Sequence, residues 1–128
     1  MSEVREDAEE KAKRLGLDLL KPNPDEIFVD IDSYSDLVVF EHRFALFQKL
    51  WPASTARFTD SPSGKPWRKH VYVTVPALAP LTDHERIALQ AALGSDPFRE
   101  MLAIFHGRAG YQHTSVFFEK PKVEGAAA

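Results

Sequence analysis

The chain has 128 residues, 44% hydrophobic and 27% charged, with a formal net charge of -3. This length fits one globular domain with a single core and excludes two full domains. The absence of cysteine excludes disulfides and a Cys-built zinc site and suits a reducing cytoplasm. No apolar run approaches the roughly 20 residues of a membrane span, and the acidic start of the chain does not resemble a secretory signal. We therefore expect a soluble, cytoplasmic protein with no membrane partner.

Basic residues are concentrated in the segment 57–70. The charged residues of this segment are Arg57, Lys65, Arg68, Lys69 and the single acid Asp60. Because the chain as a whole is mildly acidic, long-range attraction to nucleic acid is not a property of its whole surface. If the protein binds a polyanion, we expect the contact at this segment.

The two ends of the chain differ from its middle. Residues 1–24 carry closely spaced charges, which predict a charged surface helix over 2–20 and a linker that begins at Pro22. Residues 122–128 predict a flexible tail. The remaining segment, 25–121, is the predicted core.

Between the ends, the period of the apolar residues switches between that of a strand and that of a helix. Thr82 and Glu85 form a capping-box pattern, and Pro97 suits the first turn of a further helical piece. The turn at 94–100 between these pieces predicts a structural helix junction with no assigned chemistry. The predicted elements are strand 26–33, helix 36–51, strand 55–59, loop 60–69, strand 70–75, helices 82–93 and 97–106, and strand 114–120.

With the last two helical pieces counted as one broken arm, the predicted order is βαββαβ. This order is typical of the ferredoxin-like (RRM-like) α+β fold, in which a four-stranded antiparallel sheet carries both helices on one face. The opposite face is open, and the first strand lies centrally beside the third and fourth. The N-terminal helix is an addition to this fold.

Alternation along each strand divides its side chains between the two faces of the sheet. The set predicted beneath the helices is Val29, Ile31, Val71, Val73, Val75, Val116 and Phe118. The set predicted on the open face is Phe28, Asp30, Asp32, His70, Tyr72, Thr74, Ser115, Phe117 and Glu119. In the expected strand order, this second set converges.

Asp30 and Asp32 lie two residues apart on one predicted strand, so their Cα atoms are roughly 6.5 to 7 Å apart. Carboxylates on an apolar sheet are costly unless a cation or a donor compensates them. Their hard oxygen ligands favour Mg²⁺ or Mn²⁺, and Glu119 could supply a third carboxylate. We therefore predict a catalytic metal site, of the two-metal type, at Asp30, Asp32 and Glu119.

The segment before the third long strand supplies candidate phosphate contacts. His70 could donate to phosphate oxygens or act as an acid. The predicted nucleotide-binding residues are Ser63, Gly64, Lys65, Arg68, Lys69 and His70. Together with the carboxylates, they predict metal-dependent binding of a nucleoside triphosphate.

The order of these motifs resembles the archaeo-eukaryotic primase (prim-pol) superfamily. The motifs are Asp30-Ile31-Asp32 at the end of a strand, Ser63-Gly64 before His70, and an acid on a later strand. The resemblance implies a minimal RRM-like catalytic core of the kind that phages or mobile elements encode. It also implies primase-polymerase-like nucleotidyl transfer in replication or repair, with two divalent ions. The implied partners are a nucleoside triphosphate, a single-stranded DNA or RNA template, and a helicase or larger replication subunit.

Three features depart from the family pattern. Five residues separate Gly64 from His70, the third acid is Glu119 where Asp is usual, and the chain has no room for the family's second module. A stand-alone core fits a partial enzyme, a subunit or an inactive descendant as well as an active enzyme.

Two alternatives need no catalysis. An open RRM-like sheet can bind single-stranded nucleic acid by stacking bases on Phe28, Tyr72 and Phe117. A small interaction module could instead use Trp51 or Trp67 against a protein partner, although Trp51 closes an apolar helix stripe and suits a core. Metal binding by the carboxylates would distinguish the metal-dependent nucleotide site from both alternatives.

Overall fold

A computed structural model describes residues 7–111 and 114–121 of the chain. The predicted tail at 122–128 lies outside these residues. The described part is a mixed α+β structure with four α-helices and five strands. The elements are α1 (Ala8–Leu15), β1 (Asp18–Leu20), β2 (Glu26–Ile31), α2 (Tyr34–Leu50), β3 (Thr55–Asp60), β4 (Lys69–Thr74), a 3-10 turn (Pro76–Leu78), α3 (Asp83–Ala92), α4 (Pro97–Arg108) and β5 (Phe117–Glu119).

The central sheet is antiparallel, with the strand order β2-β4-β3. Val29 of β2 pairs with Val71 of β4, which in turn pairs with Phe58 of β3. β2 and β4 are rich in β-branched residues, which pack well on a pleated surface. The three strands keep the relative order that the ferredoxin-like prediction gives them.

One face of this sheet packs against α2, where Phe40 and Phe47 meet the strands. The helix begins after Ser33, whose hydroxyl accepts a hydrogen bond of 3.2 Å from the Asp36 N–H. The predicted buried residues Val29, Ile31, Val71, Val73 and Val75 are confirmed in this core. Val116 and Phe118 were predicted in the same buried set, which is wrong, because they are only half-buried and do not belong to this core.

The N-terminal prediction is partly wrong. α1 ends at Leu15 because Gly16, at φ +66°, turns the chain and donates to the carbonyls of Ala12 and Lys13. Residues 18–20, expected in the helix, instead form β1, which pairs with β5 in a separate two-stranded sheet.

The predicted single four-stranded sheet is not what the structure shows. The free edge of β2 is occupied by the junction between α3 and α4, where the ferredoxin-like order places the fourth strand. Phe28 N–H donates to Gln90 Oε1 at 2.8 Å, and Asp30 N–H donates to Ser95 Oγ at 2.9 Å. Asp96 N–H donates to the Asp30 carbonyl at 3.0 Å. With these backbone groups already paired, β5 has no ladder to join.

β5 instead covers the second face of the sheet. Phe117 stacks on Phe28, with ring centroids 4.7 Å apart, and meets Tyr72 edge-on at 5.3 Å. The exposed fractions of Phe28, Tyr72 and Phe117 are 1%, 3% and 2%. The prediction of an open face is therefore wrong, and these three rings are not accessible for base stacking.

The helical arm after the sheet follows its sequence signals closely. The capping box of Thr82 and Glu85 is confirmed, and Asp96 caps α4 through a 3.0 Å bond from Phe98 N–H to its Oδ1. α4 continues through Gly107 to Arg108, two residues beyond its predicted end. None of the helices in the described ranges combines the length and apolar character needed to cross a bilayer.

Candidate functional site

Three aspartates meet where β2 ends and α4 begins. Asp30 lies in β2, Asp32 follows the strand, and Asp96 is the N-cap of α4. One carboxylate oxygen from each lies within 4.8 Å of the other two, and all three residues are half-buried. This is a donor set that suits a hard divalent cation.

The α3–α4 junction brings Asp96 to this position. The backbone bonds between Asp30 and residues 95–96 fix the start of α4 against β2. Sequence analysis missed Asp96 as a candidate ligand because Asp-Pro before a helix already has a complete explanation as a cap. The turn at 94–100 was the available signal for Asp96. It predicted a helix junction, but it did not show which strand the junction would contact.

Burial makes ionisation of two carboxylates of the cluster less favourable than in water. Burial raises the pKa of Asp30, although Arg99 and His70 oppose this increase. Burial also raises the pKa of Asp32, and the neighbouring Asp30 and Asp96 add to the increase. Ionised carboxylates are therefore disfavoured here without a further cation, and a bound divalent ion would stabilise them. By this test the residues fit the metal that the sequence predicts.

Glu119 does not join this cluster. Its carboxylate pairs with Nδ1 of His70, and the His70 ring stacks on Phe117 at 3.9 Å. Nε2 of His70 lies on the opposite side of the ring, 4.0 Å from Oδ1 of Asp30. The predicted metal set of Asp30, Asp32 and Glu119 therefore needs correction, because His70 separates Glu119 from the two aspartates and Asp96 takes its place.

The His70–Glu119 pair fixes the orientation of the imidazole. A carboxylate is an acceptor, so Nδ1 carries the hydrogen, and Nε2 is left to face Asp30. Burial and the negative charge of Glu119 also raise the pKa of the neighbouring Tyr72 hydroxyl, which keeps that group protonated.

A cavity of about 570 Å³ opens beside the cluster, between α1, α4, β5 and the loop before β4. Its wall contains the acids Asp30 and Asp96 together with the basic side chains of Arg68 and Arg99. Such a mixture of charges suits a ligand that brings both an anion and a cation. The volume is in the range of small-molecule sites.

The predicted nucleotide-binding residues divide into two groups. Ser63, Arg68 and His70 line the cavity, whereas Gly64, Lys65 and Lys69 do not. Arg68 also pairs with Asp32 at 3.2 Å, and Lys69 pairs with Asp60 of the neighbouring strand β3. The structure therefore places Ser63, Arg68 and His70 on the same cavity wall as Asp30 and Asp96.

Arg99 is a second residue that sequence analysis missed. Its guanidinium donates to the Phe28 carbonyl at 3.0 Å and the Val116 carbonyl at 3.2 Å, and it lies 4.8 Å from the centre of the Phe117 ring. It thus joins β2, α4 and the segment before β5 while adding positive charge to the cavity. A lone arginine in a helix gives no sequence signal of this kind.

No protein-family model, curated protein or solved structure matches the chain. The resemblance to the primase superfamily therefore rests on the motifs alone.

Proposed function

We propose that this protein binds a divalent cation at Asp30, Asp32 and Asp96 and, with it, the phosphates of a nucleoside triphosphate. The observation that carries the proposal is the meeting of these three carboxylates beside a cavity whose wall contains two of them, Asp30 and Asp96, together with His70 and Arg68. Carboxylates without a cation would repel phosphate. Basic side chains could bind phosphate without any carboxylates beside them. A metal–triphosphate complex satisfies both groups at once.

Each side chain has a distinct part in this binding. The aspartates hold the cation, which when bound lowers the negative charge of the phosphates and draws them to the site. Arg68 donates to phosphate oxygens, and the Ser63 hydroxyl adds a neutral donor. His70 presents Nε2 to the cavity because Glu119 holds Nδ1.

The reaction we propose for this site is nucleotidyl transfer of the primase-polymerase kind, which the motif resemblance implies. A hydroxyl oxygen attacks the α-phosphorus, the new P–O bond forms, and the bond to the bridging oxygen breaks. Pyrophosphate leaves with that electron pair, and the hydroxyl proton passes to solvent or to a carboxylate. A template strand and a larger replication subunit or helicase belong to the same proposal.

Calorimetric titration with a nucleoside triphosphate tests the binding step. In Mg²⁺, we expect Asp96→Asn to weaken binding at least tenfold, a loss of about 1.4 kcal/mol, because one of three ligands is lost. Asp83→Asn is the matched control, since it removes an exposed helix-start aspartate outside the cavity. Equal affinities of the native chain and Asp96→Asn, or equal affinities in Mg²⁺ and in EDTA, would refute the proposal. Template-directed primer extension then tests the transfer step.

A further inference from the structure

An exposed pair of aromatic side chains lies at the edge of the basic segment. Tyr34, at the start of α2, is 57% exposed, and Trp67, in the loop before β4, is 51% exposed. Their ring centroids are 4.9 Å apart and their planes meet at 65°. Unlike the buried rings of Phe28, Tyr72 and Phe117, this pair is accessible to a ligand.

Trp67 is held in a conformation that is costly for a bulky residue. Its φ is +67°, and it is the one non-glycine residue with a positive φ in the described part of the chain. Glycine would adopt this conformation without strain. Because about half of Trp67 stays exposed, its contact with Tyr34 compensates for only part of this cost.

The pair lies next to the candidate metal site. Tyr34 follows Asp32 by two residues and Trp67 immediately precedes Arg68, while Asp32 and Arg68 are joined at 3.2 Å. The loop also belongs to the basic segment, since residues 57–70 contain four Lys or Arg and one acid. A ligand that covers Trp67 therefore meets Lys65 and Arg68 as well.

We propose that Tyr34 and Trp67 form a stacking platform for an unpaired base of a single-stranded nucleic acid, whose phosphates contact Lys65 and Arg68. Aromatic rings beside basic side chains are the combination by which proteins hold single strands without reading sequence. Aromatic and arginine side chains are also common where proteins meet, but Lys65, an exposed cation with no acidic partner among the described residues, favours a polyanion beside Trp67. This inference rests on the proposed function in one respect, because it names a single-stranded nucleic acid as the partner of the same metal and nucleotide site.

Binding of a labelled oligothymidylate of about 15 nucleotides, followed by fluorescence anisotropy, tests this inference. We expect Trp67→Gly to weaken binding at least about fivefold and Trp67→Phe to restore most of it. Trp67→Gly relieves the positive φ, so its thermal unfolding temperature should not fall, which separates lost binding from lost folding. Phe105→Ala, which removes an exposed ring of α4 outside the cavity, is the control and should bind like the native chain.

Asp30→Asn with Asp32→Asn separates the two proposals. In this background, nucleoside triphosphate binding should be lost, whereas Trp67-dependent binding of the oligonucleotide should persist because the platform needs no cation. If the native chain binds triphosphate equally well without metal while oligonucleotide binding still depends on Trp67, the proposed function is refuted and the platform is not. Oligonucleotide binding that is absent or insensitive to Trp67→Gly would overturn the platform and leave the rings as a protein-contact surface. Equal competition by a duplex of the same length would also overturn it.

Discussion

Asp96 shows how one side chain can satisfy a structural and a chemical requirement together. Its Oδ1 accepts the Phe98 N–H at the start of α4, while the carboxylate lies within reach of Asp30 and Asp32. The cap holds the carboxylate in place before any cation binds. A site that is fixed in this way loses little conformational entropy on binding.

The burial of the carboxylates at this site, together with the repulsion between them, predicts a pH-dependent stability. Both Asp30 and Asp32 have a raised pKa, so the folded chain favours their protonated forms, and ionisation costs stability as the pH rises above the ordinary value of 3.8. Asp30→Asn with Asp32→Asn should therefore be more stable than the native chain at neutral pH without metal. The difference should shrink as the pH falls through the raised pKa values towards 3.8.

Urea unfolding in EDTA across this pH range measures the effect. Glu41→Gln, at an exposed position of α2, is the control for loss of a carboxylate charge. A stability difference of the same size at every pH would contradict the account.

At the residue scale, the sequence was sufficient where strand alternation decides the outcome. Asp30 and His70 were placed on one face, and they do lie opposite each other in adjacent strands. Glu119 was assigned to the metal by the same argument, which could not foresee that His70 would lie between them. Asp96 was missed because its position depends on contacts between distant elements rather than on a local pattern.

At the element scale, the free edge of β2 determines the architecture. Side chains and backbone of the α3–α4 junction supply the hydrogen bonds that another strand would otherwise provide. Behind them lies Glu100, only 3% exposed, which accepts hydrogen bonds from Gln90 and Ser95 at 2.7 Å each and pairs with Arg99. This buried network aligns the edge of β2 with α4.

Removing the centre of this network should be severe. Glu100→Ala leaves Arg99, Gln90 and Ser95 with unmet hydrogen bonds, and we expect it to lower the free energy of unfolding by about 3 to 5 kcal/mol. Glu100→Gln keeps an acceptor oxygen and should cost less. Glu41→Ala, on the exposed side of α2, should change stability by no more than about 0.5 kcal/mol. Chemical denaturation compares the variants, and similar losses for Glu100→Ala and Glu41→Ala would show that the network does not support the edge.

Local periodicity predicted most of the helices and strands but could not predict which edges pair. The α2 helix, the capping box of α3 and strand β4 follow directly from spacing and alternation. β1 is three residues long and was predicted as helix, β5 is shorter than the predicted strand 114–120, and their pairing joins residues 18 and 119. The prediction of a four-stranded sheet was wrong because the α3–α4 junction, and not a fourth strand, forms the hydrogen bonds at the edge of β2.

At the scale of the whole molecule, the two faces of one sheet have different partners. The main core lies between the sheet and α2, while Phe28, Tyr72 and Phe117 form a smaller cluster on the opposite face. Phe117 belongs to β5, which pairs with β1 and thereby ties the N-terminal segment to the cavity wall. The packing of this smaller cluster therefore helps to position the cavity beside the three aspartates.

Loss of Phe117 should affect both stability and the site. Phe117→Ala removes the ring that stacks on Phe28 and His70, and we expect a loss of about 3 to 5 kcal/mol in unfolding free energy. Hydrogen exchange should also show faster exchange in β1 and β5 than in β2 and β4. Uniform acceleration over all four strands would indicate that the second cluster has no separate role.

The most direct test of the central claim is a titration of the metal-free protein with Mn²⁺, followed by NMR line broadening. The account predicts that the first resonances to broaden are those of Asp30, Asp32, Asp96 and His70, and that Asp30→Asn with Asp32→Asn abolishes the effect. Broadening that begins at exposed acids elsewhere, such as Glu41 or Asp83, or that survives in the double variant, would contradict the assignment of a metal site to these aspartates.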